Sequence, residues 1–461
     1  MSEVDCIVLG GGLAGITSAL RLADAGREVA LLEGRPRLGG AAFSFSRGGL
    51  SIDNGQHVFL RCCESYRWLL ERLGVADQVI LQDRLDIPVL RADGRSARLS
   101  RLPGVPAPAH LTGALAGYGL LSPTDRVRAV RGALALRRLD PSDTALDTQS
   151  LGGFLRRHGQ NDATIEALWG IVATATLNLS PDEASLALAA KVFRTGLLDH
   201  APAADIGYAA VPLGELHSTA ALRALAAAGV EVLLGQRIEE VRGDRDGGVV
   251  VHSTGAAGRT GSRTWHAGGA VLALPHRDAL ACTPELATTS AGRAEGLGAT
   301  PIVNVHVVYD RTVTDLPFAA AVGSPVQWFF DRTATSGLRR GQYRQGQYLA
   351  ITVSAADDII DTPSRVLRDL FVGELARLLP RAGRAEVVDA FVTRERRATF
   401  RQAVGSASLR PGCRSGVDGI WLAGAWTATG WPDTMESAVL SGINATDDVL
   451  GVRPSRSRVA A

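Results

Sequence analysis

The turn Gly10-Gly11-Gly12-Leu13-Ala14-Gly15 constrains this chain more than any other stretch. It follows a short apolar run at residues 4–9, the signature of a buried parallel strand, and opens a helical pattern that continues over 16–25. In Gly10-x-Gly12-x-x-Gly15 the first glycine permits the tight turn, and the second lets the backbone approach a pyrophosphate. The third lets helix and strand pack closely. The helix N-terminus, with the N–H groups of Leu13 and Ala14, then faces the phosphates. A second strand over 27–32 ends at Glu33, placed to accept hydrogen bonds from an adenosine ribose and to disfavour a 2′-phosphate, which argues against NADP. The expected fold is α/β, with a Rossmann-like nucleotide domain.

The next block distinguishes NAD from FAD. Arg35, Gly39, Gly40 and Ala41 follow the ribose acid directly, where an NAD domain would pass on to its next crossover helix. An arginine, two glycines and a small residue suit a second loop along a diphosphate and ribityl chain. This block resembles the corresponding loop of the amine oxidase and phytoene desaturase superfamily of flavoproteins. Asp53-Asn54-Gly55-Gln56-His57 is similar to the turn that passes beside the isoalloxazine ring in that superfamily, and 421–442 to its flavin-closing segment. The resemblance implies FAD, held between the two ends of the chain.

A length of 461 residues calls for more than one domain. The reading is interleaved: an FAD-binding domain from 1–80, 205–275 and 400–450, an inserted α+β substrate domain from 81–204 and 276–399, and a flexible polar tail at 451–461. Strands are expected within 81–102, helices over 123–139 and 148–200 (one starting at Ser180-Pro181-Asp182-Glu183), and strands at 230–234, 237–241, 268–275, 302–309 and 347–353. In the resembled proteins the 230–241 pair carries backbone contacts to adenine, which brings in Ile238. A net charge of +2 gives no nucleic-acid signal. The five scattered cysteines form neither a disulfide framework nor a metal site and fit a reduced, cytoplasmic setting. No basic leader precedes the first strand, and no apolar run of about 18 residues occurs, so neither a signal peptide nor a spanning helix is expected.

A narrower resemblance rests on four segments: 53–58; 102–111 with 121–126; Leu168-Trp169 with Thr176-Leu177-Asn178 and Ala184-Ser185; and Leu422-Ala423-Gly424-Ala425-Trp426 through Gly430-Trp431-Pro432. They are similar to the hydroxysqualene dehydroxylases, the squalene-associated FAD-dependent desaturases. That likeness implies reductive removal of a hydroxyl from an apolar polyprenyl substrate, in squalene and hopanoid biosynthesis. It also implies flavin contacts from Gly424, Ala425, Thr434 and Met435. Ala425 departs from the pattern, since that family carries Asp there beside the diphosphate or ribityl chain.

Three activities stay open beside this one: a phytoene-type desaturase, an amine oxidase, and a lipid-binding relative without redox work. The intact glycines argue against the last. Amine oxidases of this group use a lysine in the middle strands of the substrate domain, whereas the single lysine, Lys191, falls in the helical insertion. His57 is the candidate acid, since a histidine donates a proton near neutral pH. Glu436 reads as a helix N-terminal acid, Asp53 as a brace of its turn, and Trp426 and Trp431 as packing. Residues 103–140, apolar over 111–121 and then rich in arginine, are a candidate surface for peripheral contact with the inner face of a membrane. The residues name no electron donor.

Overall fold

In the computed structural model, described for residues 2–244, 247–255, 262–338 and 345–452, the strand Ser2–Leu9 lies inside a seven-stranded sheet. It pairs in parallel with Val29–Glu33 on one side and with Arg263–Leu272 on the other. Glu231–Leu234 extends the first edge in parallel, and Val249–Gly255 and Gln236–Gly243 extend the other as antiparallel strands. Ile420–Leu422 adds in parallel to the free end of Arg263–Leu272, with Ala270 opposite Ile420. Ile7, Leu9, Ala30 and Leu32 face one side and Val8 and Leu31 the other, all fully buried. A parallel strand covered on both faces is apolar throughout for this reason.

The helix Leu13–Asp24 covers one face, and the helix Met435–Val449 lies against it. Their backbones touch: a Cβ on Gly442 would meet Ala14 O at 2.5 Å. Arg21 Nε donates to Thr446 Oγ1 at 2.8 Å across the same contact.

A second seven-stranded sheet runs in the order Val387–Thr399, Thr300–Tyr309, Gln347–Val353, Trp328–Asp331, Phe318–Val322, Asp86–Arg91, Ser96–Ser100. Val303, Val305 and Val307 alternate onto one face and pack with Leu367, Phe371 and Leu375 of the helix Ser364–Leu378. The spacing of four on the helix and two on the strand is what the two periodicities require. The first sheet draws on residues 2–33, 231–272 and 420–422, and the second on 86–100, 300–353 and 387–399.

Between 100 and 200 the chain is helical. Pro123–Arg137 starts from Ser122, whose hydroxyl accepts the Asp125 N–H at 3.2 Å, and Leu151–Arg157 starts from Ser150 in the same way. The helix expected at Ser180 begins later. Ser180 Oγ donates to Glu183 at 3.0 Å and Asp182 pairs with Arg156, so 180–183 closes as a turn, and Ser185 caps the helix Leu186–Phe193 instead. Among the described residues no helix is long and apolar enough to cross a membrane. Of the expected tail only Gly451 and Val452 fall within the described residues.

Candidate active site

The fingerprint turn closes as its glycines demand. Gly10 has φ +106°, and a Cβ there would lie 2.5 Å from Ala273 O, while a Cβ on Gly15 would lie 1.8 Å from Gly10 O. A Cβ on Gly40 would come within 2.8 Å of Gly12 Cα, so the two glycine loops face each other backbone to backbone. Glu33 ends its strand with the carboxylate fixed by two N–H donors, Gly11 at 2.6 Å and Arg35 at 2.7 Å. Arg35 O accepts the Gly235 N–H at 3.1 Å, which draws the strand carrying Ile238 beside the ribose acid. Arg37, which the sequence reading passed over, lies over the Phe43 ring at 3.5 Å and donates to Gly40 O at 3.1 Å. Burial, reinforced by the Arg35 charge, pushes its pKa down to about 10, so it stays cationic at neutral pH.

The second half of the site starts at the end of the strand Leu50–Asp53. Asp53 is 5% exposed; its Oδ2 accepts Arg332 Nη2 at 2.6 Å and its Oδ1 accepts Ser44 Oγ at 2.6 Å and the Leu213 N–H at 3.0 Å. It braces the turn. Asn54 O accepts Asn304 Nδ2 at 2.9 Å, which sets the polar turn against the strand Thr300–Tyr309, next to the edge of the second sheet. Gln56 Nε2 is buried without a hydrogen-bond partner among the described residues. His57 Nδ1 lies 3.1 Å from Gly55 O, and since a carbonyl only accepts, Nδ1 carries the proton. Burial holds the ring neutral by pulling its pKa below the usual histidine value. The Nδ1 proton is thus engaged by Gly55 O.

The closing segment completes the site. Gly424 has φ +137°, and a Cβ there would lie 2.5 Å from Trp426 Nε1, which donates to Leu274 O at 2.9 Å. Trp426 is core. Thr434 caps the closing helix Met435–Val449 by accepting the Ser437 N–H at 3.2 Å. Both oxygens of the buried Glu436 accept N–H groups at the start of the helix Glu64–Arg72, Ser65 at 3.1 Å and Tyr66 at 2.8 Å. It joins two helices, and burial raises its pKa.

Three further charged groups lie at the closing segment. Arg410 is buried and spends its guanidinium on backbone carbonyls, Ala425 O at 3.0 Å, Thr427 O at 2.5 Å and Trp426 O at 3.3 Å, at the very position where the resembled family carries Asp. Burial pushes its pKa down to about 10. Asp433 accepts the Phe400 N–H at 2.8 Å, and its own N–H donates to Gln402 at 2.9 Å. Lys191, remote in sequence, lies with Nζ 4.7 Å from the centre of the Trp431 ring, and burial lowers its pKa. An isolated lysine beside an arginine-rich background was the one available signal.

These residues fit FAD. Two glycine loops meet with no room for side chains, an acid is fixed at the end of the second strand, and a buried amide without a partner lies in the turn beside the ring position. Gly10, Gly12, Leu13, Ala14 and Gly15 would hold the diphosphate with Arg35 and Gly39 to Ala41, Glu33 the ribose, and Gly55, Gln56, Thr434 and Met435 the flavin.

The sequence profile described as flavin containing amine oxidoreductase matches residues 13–450. A hydroxysqualene dehydroxylase of Rhodopseudomonas palustris is 28% identical over 452 residues, covering 96% of this chain and 97% of the relative. A 15-cis-phytoene desaturase of Solanum lycopersicum is 24% identical, covering 95% of this chain and 76% of the relative. Among solved structures, putrescine oxidase bound to putrescine superposes with a TM-score of 0.71 at 18% identity, over 98% of this chain and 99% of that one.

Proposed function

The chain belongs to the flavin-containing amine oxidoreductase family and is an FAD-dependent oxidoreductase, and from that premise we propose that it converts hydroxysqualene to squalene and water. Reduced FAD, when bound, supplies the hydride. The observation that carries the reading is Asn304. It lies on Thr300–Tyr309, next to the edge strand of the second sheet, bonded to the turn at Asn54, in the sheet where the resembled amine oxidases carry a lysine. The strands of that sheet contain no lysine among the described residues. The full-length likeness to hydroxysqualene dehydroxylases supports the same substrate.

The chain's own residues have three tasks. The glycine loops and Glu33 fix the cofactor. Asp53 and Arg332 hold the turn so that the reacting carbon meets a rigid wall. Arg410, bonded to the carbonyls of Ala425, Trp426 and Thr427, holds the closing segment in place.

The test is anaerobic: protein carrying reduced flavin is mixed with hydroxysqualene, and flavin reoxidation is followed together with squalene. Both are expected in equal amounts. Protein that purifies without flavin, or reoxidation without squalene, overturns the reading. The likeness to a phytoene desaturase supports a second reading in which hydride leaves the substrate, and oxidised protein with phytoene is its assay.

Such a substrate resides in a lipid bilayer, and a peripheral contact belongs to this proposal. On the helix Pro123–Arg137, Val127, Val130 and Leu134 are 57%, 41% and 42% exposed and share one face with Arg131. Apolar side chains flanked by arginine suit an anionic lipid surface. Flotation with vesicles containing anionic lipid is expected for the protein, and Val127→Asp with Leu134→Asp is expected to leave it at the bottom of the gradient; wild-type protein that does not float sinks this contact.

A further inference from the structure

A cavity of about 430 Å³ opens between the helical insertion and the second sheet. That volume falls in the range of about 300–1,000 Å³ usual for small-molecule sites. Its floor is Ala321, Val322 and Trp328, where the strands Phe318–Val322 and Trp328–Asp331 meet in a hairpin. Its roof includes Ile165 and Ile171, from the single π-turn Ile165–Trp169 and the helix Gly170–Leu177 that continues it. Turns of this kind recur at functional sites. The C-terminus of that helix is tied to the sheet. Asn178, left-handed at φ +49°, donates to Thr300 O at 3.1 Å and accepts the Ala355 N–H at 2.7 Å. The four aliphatic side chains named are buried. The charged residues of the lining are exposed and stand at the rim, where Arg156 pairs with both Asp162 and Asp182, and Glu166 lies beside them.

Sheet register joins this cavity to the cofactor side. Trp328 stands directly opposite Thr352, and Thr352 directly opposite Asn304. Opposed residues share a face of the sheet, so the three side chains form one row. Thr352 Oγ1 donates to Asn304 Oδ1 at 2.8 Å, and Asn304 in turn bonds the flavin-side turn at Asn54 O. Two strand spacings, about 10 Å, therefore separate the cavity floor from the residue that holds the turn. Trp328 and Thr352 both keep accessible surface, whereas Phe329 and Ile351, on the other face of the same strands, are fully buried. Space thus lies over the row on the side of the turn and none on the side of the helix Ser364–Leu378.

We propose that this cavity seats the far end of the substrate's isoprenoid chain, and that the row Trp328, Thr352 and Asn304 guides the chain from it to the flavin-side turn. The inference rests on the substrate reading above. An isoprenoid chain carries no charge, and its one hydroxyl belongs at the cofactor. Its tail asks only for apolar wall, which the buried part of the cavity supplies. A charged ligand would find its partners only at the rim, already engaged with one another around Arg156.

The probe is squalene carrying a diazirine at one end. Oxidised, flavin-bound protein is irradiated with it and digested, and the labelled peptides are identified by mass spectrometry. Label is expected within 165–175 and 321–328, and is expected to disappear when excess squalene is present. A second measurement uses Ala175→Trp, which fills the cavity from an exposed position on the helix Gly170–Leu177. Ala226→Trp, also exposed and outside the lining, is the control for an added tryptophan. In anaerobic single turnover with reduced flavin, Ala175→Trp is expected to raise the half-saturating concentration of hydroxysqualene about 10-fold or more. Its limiting rate and flavin content are expected to match the control, because binding is lost equally before and during the reaction. Where wild type forms squalene, label confined to other peptides, label that squalene does not displace, or an Ala175→Trp that saturates like the control overturns the proposal. Displaceable label at these two segments in a wild type that forms no squalene keeps the cavity as a hydrocarbon seat and counts against the dehydroxylation reading instead.

Discussion

Arg332→Ala is expected to lower stability by about 3–5 kcal/mol, read from denaturant or thermal unfolding of the flavin-bound protein. The side chains of Arg332 and Asp53 are 8% and 5% exposed, so truncating the arginine leaves a carboxylate buried with only Ser44 and the Leu213 N–H. It also orphans Ala209 O, which accepts Arg332 Nη1 at 3.1 Å. The pair ties three pieces of chain: the flavin-side turn, the end of the strand Trp328–Asp331, and the 209–213 connection. Removing both partners, as Asp53→Leu with Arg332→Met, is expected to cost less than either single truncation, because no buried charge then remains. A double variant as unstable as the sum of the singles would show that the two act independently.

The second large effect is on the cofactor. Gly15→Ala is expected to weaken FAD binding about 100-fold or more, equivalent to about 2.8 kcal/mol. Some dinucleotide folds accept alanine at the third position of the fingerprint. Here its Cβ would stand 1.8 Å from Gly10 O, so either the turn or the helix Leu13–Asp24 must shift. Flavin retained after gel filtration is the measurement. Gly119→Ala, with nothing within 4 Å of the new Cβ, is the matched control. Equal flavin content in the two variants would refute the expectation.

What the sequence made legible was local. The fingerprint turn and the ribose acid are set by residues close in the chain or by backbone angles only glycine adopts readily, such as φ +106° at Gly10. What stayed hidden depends on partners far along the chain. Asp53 finds Arg332 across 279 residues, and no period or composition signals that. Arg410 read as one more arginine among many, yet it is buried on three carbonyls of the closing segment. Lys191 falls in the helical insertion by sequence but reaches Trp431 in space. At His57 the turn presents Gly55 O to Nδ1, which fixes the tautomer, and burial lowers the ring's pKa; neither follows from the order of residues. Ser180 to Glu183 carries a good helix-start pattern, but Arg156 claims Asp182 and the better-placed Ser185 takes the cap.

The contact between the helices Leu13–Asp24 and Met435–Val449 has a consequence for synthesis. Arg21 meets Thr446 across 425 residues. On a ribosome adding about 5–20 residues per second, the fingerprint helix waits on the order of 20–80 seconds for the helix that covers it. During that interval the face of the helix that packs on Met435–Val449 has no cover, and the two halves of the flavin cradle do not yet coexist. Cofactor capture is thus a late event in the life of each molecule, and nascent chains of this fold depend on whatever shields that face until their last helix emerges.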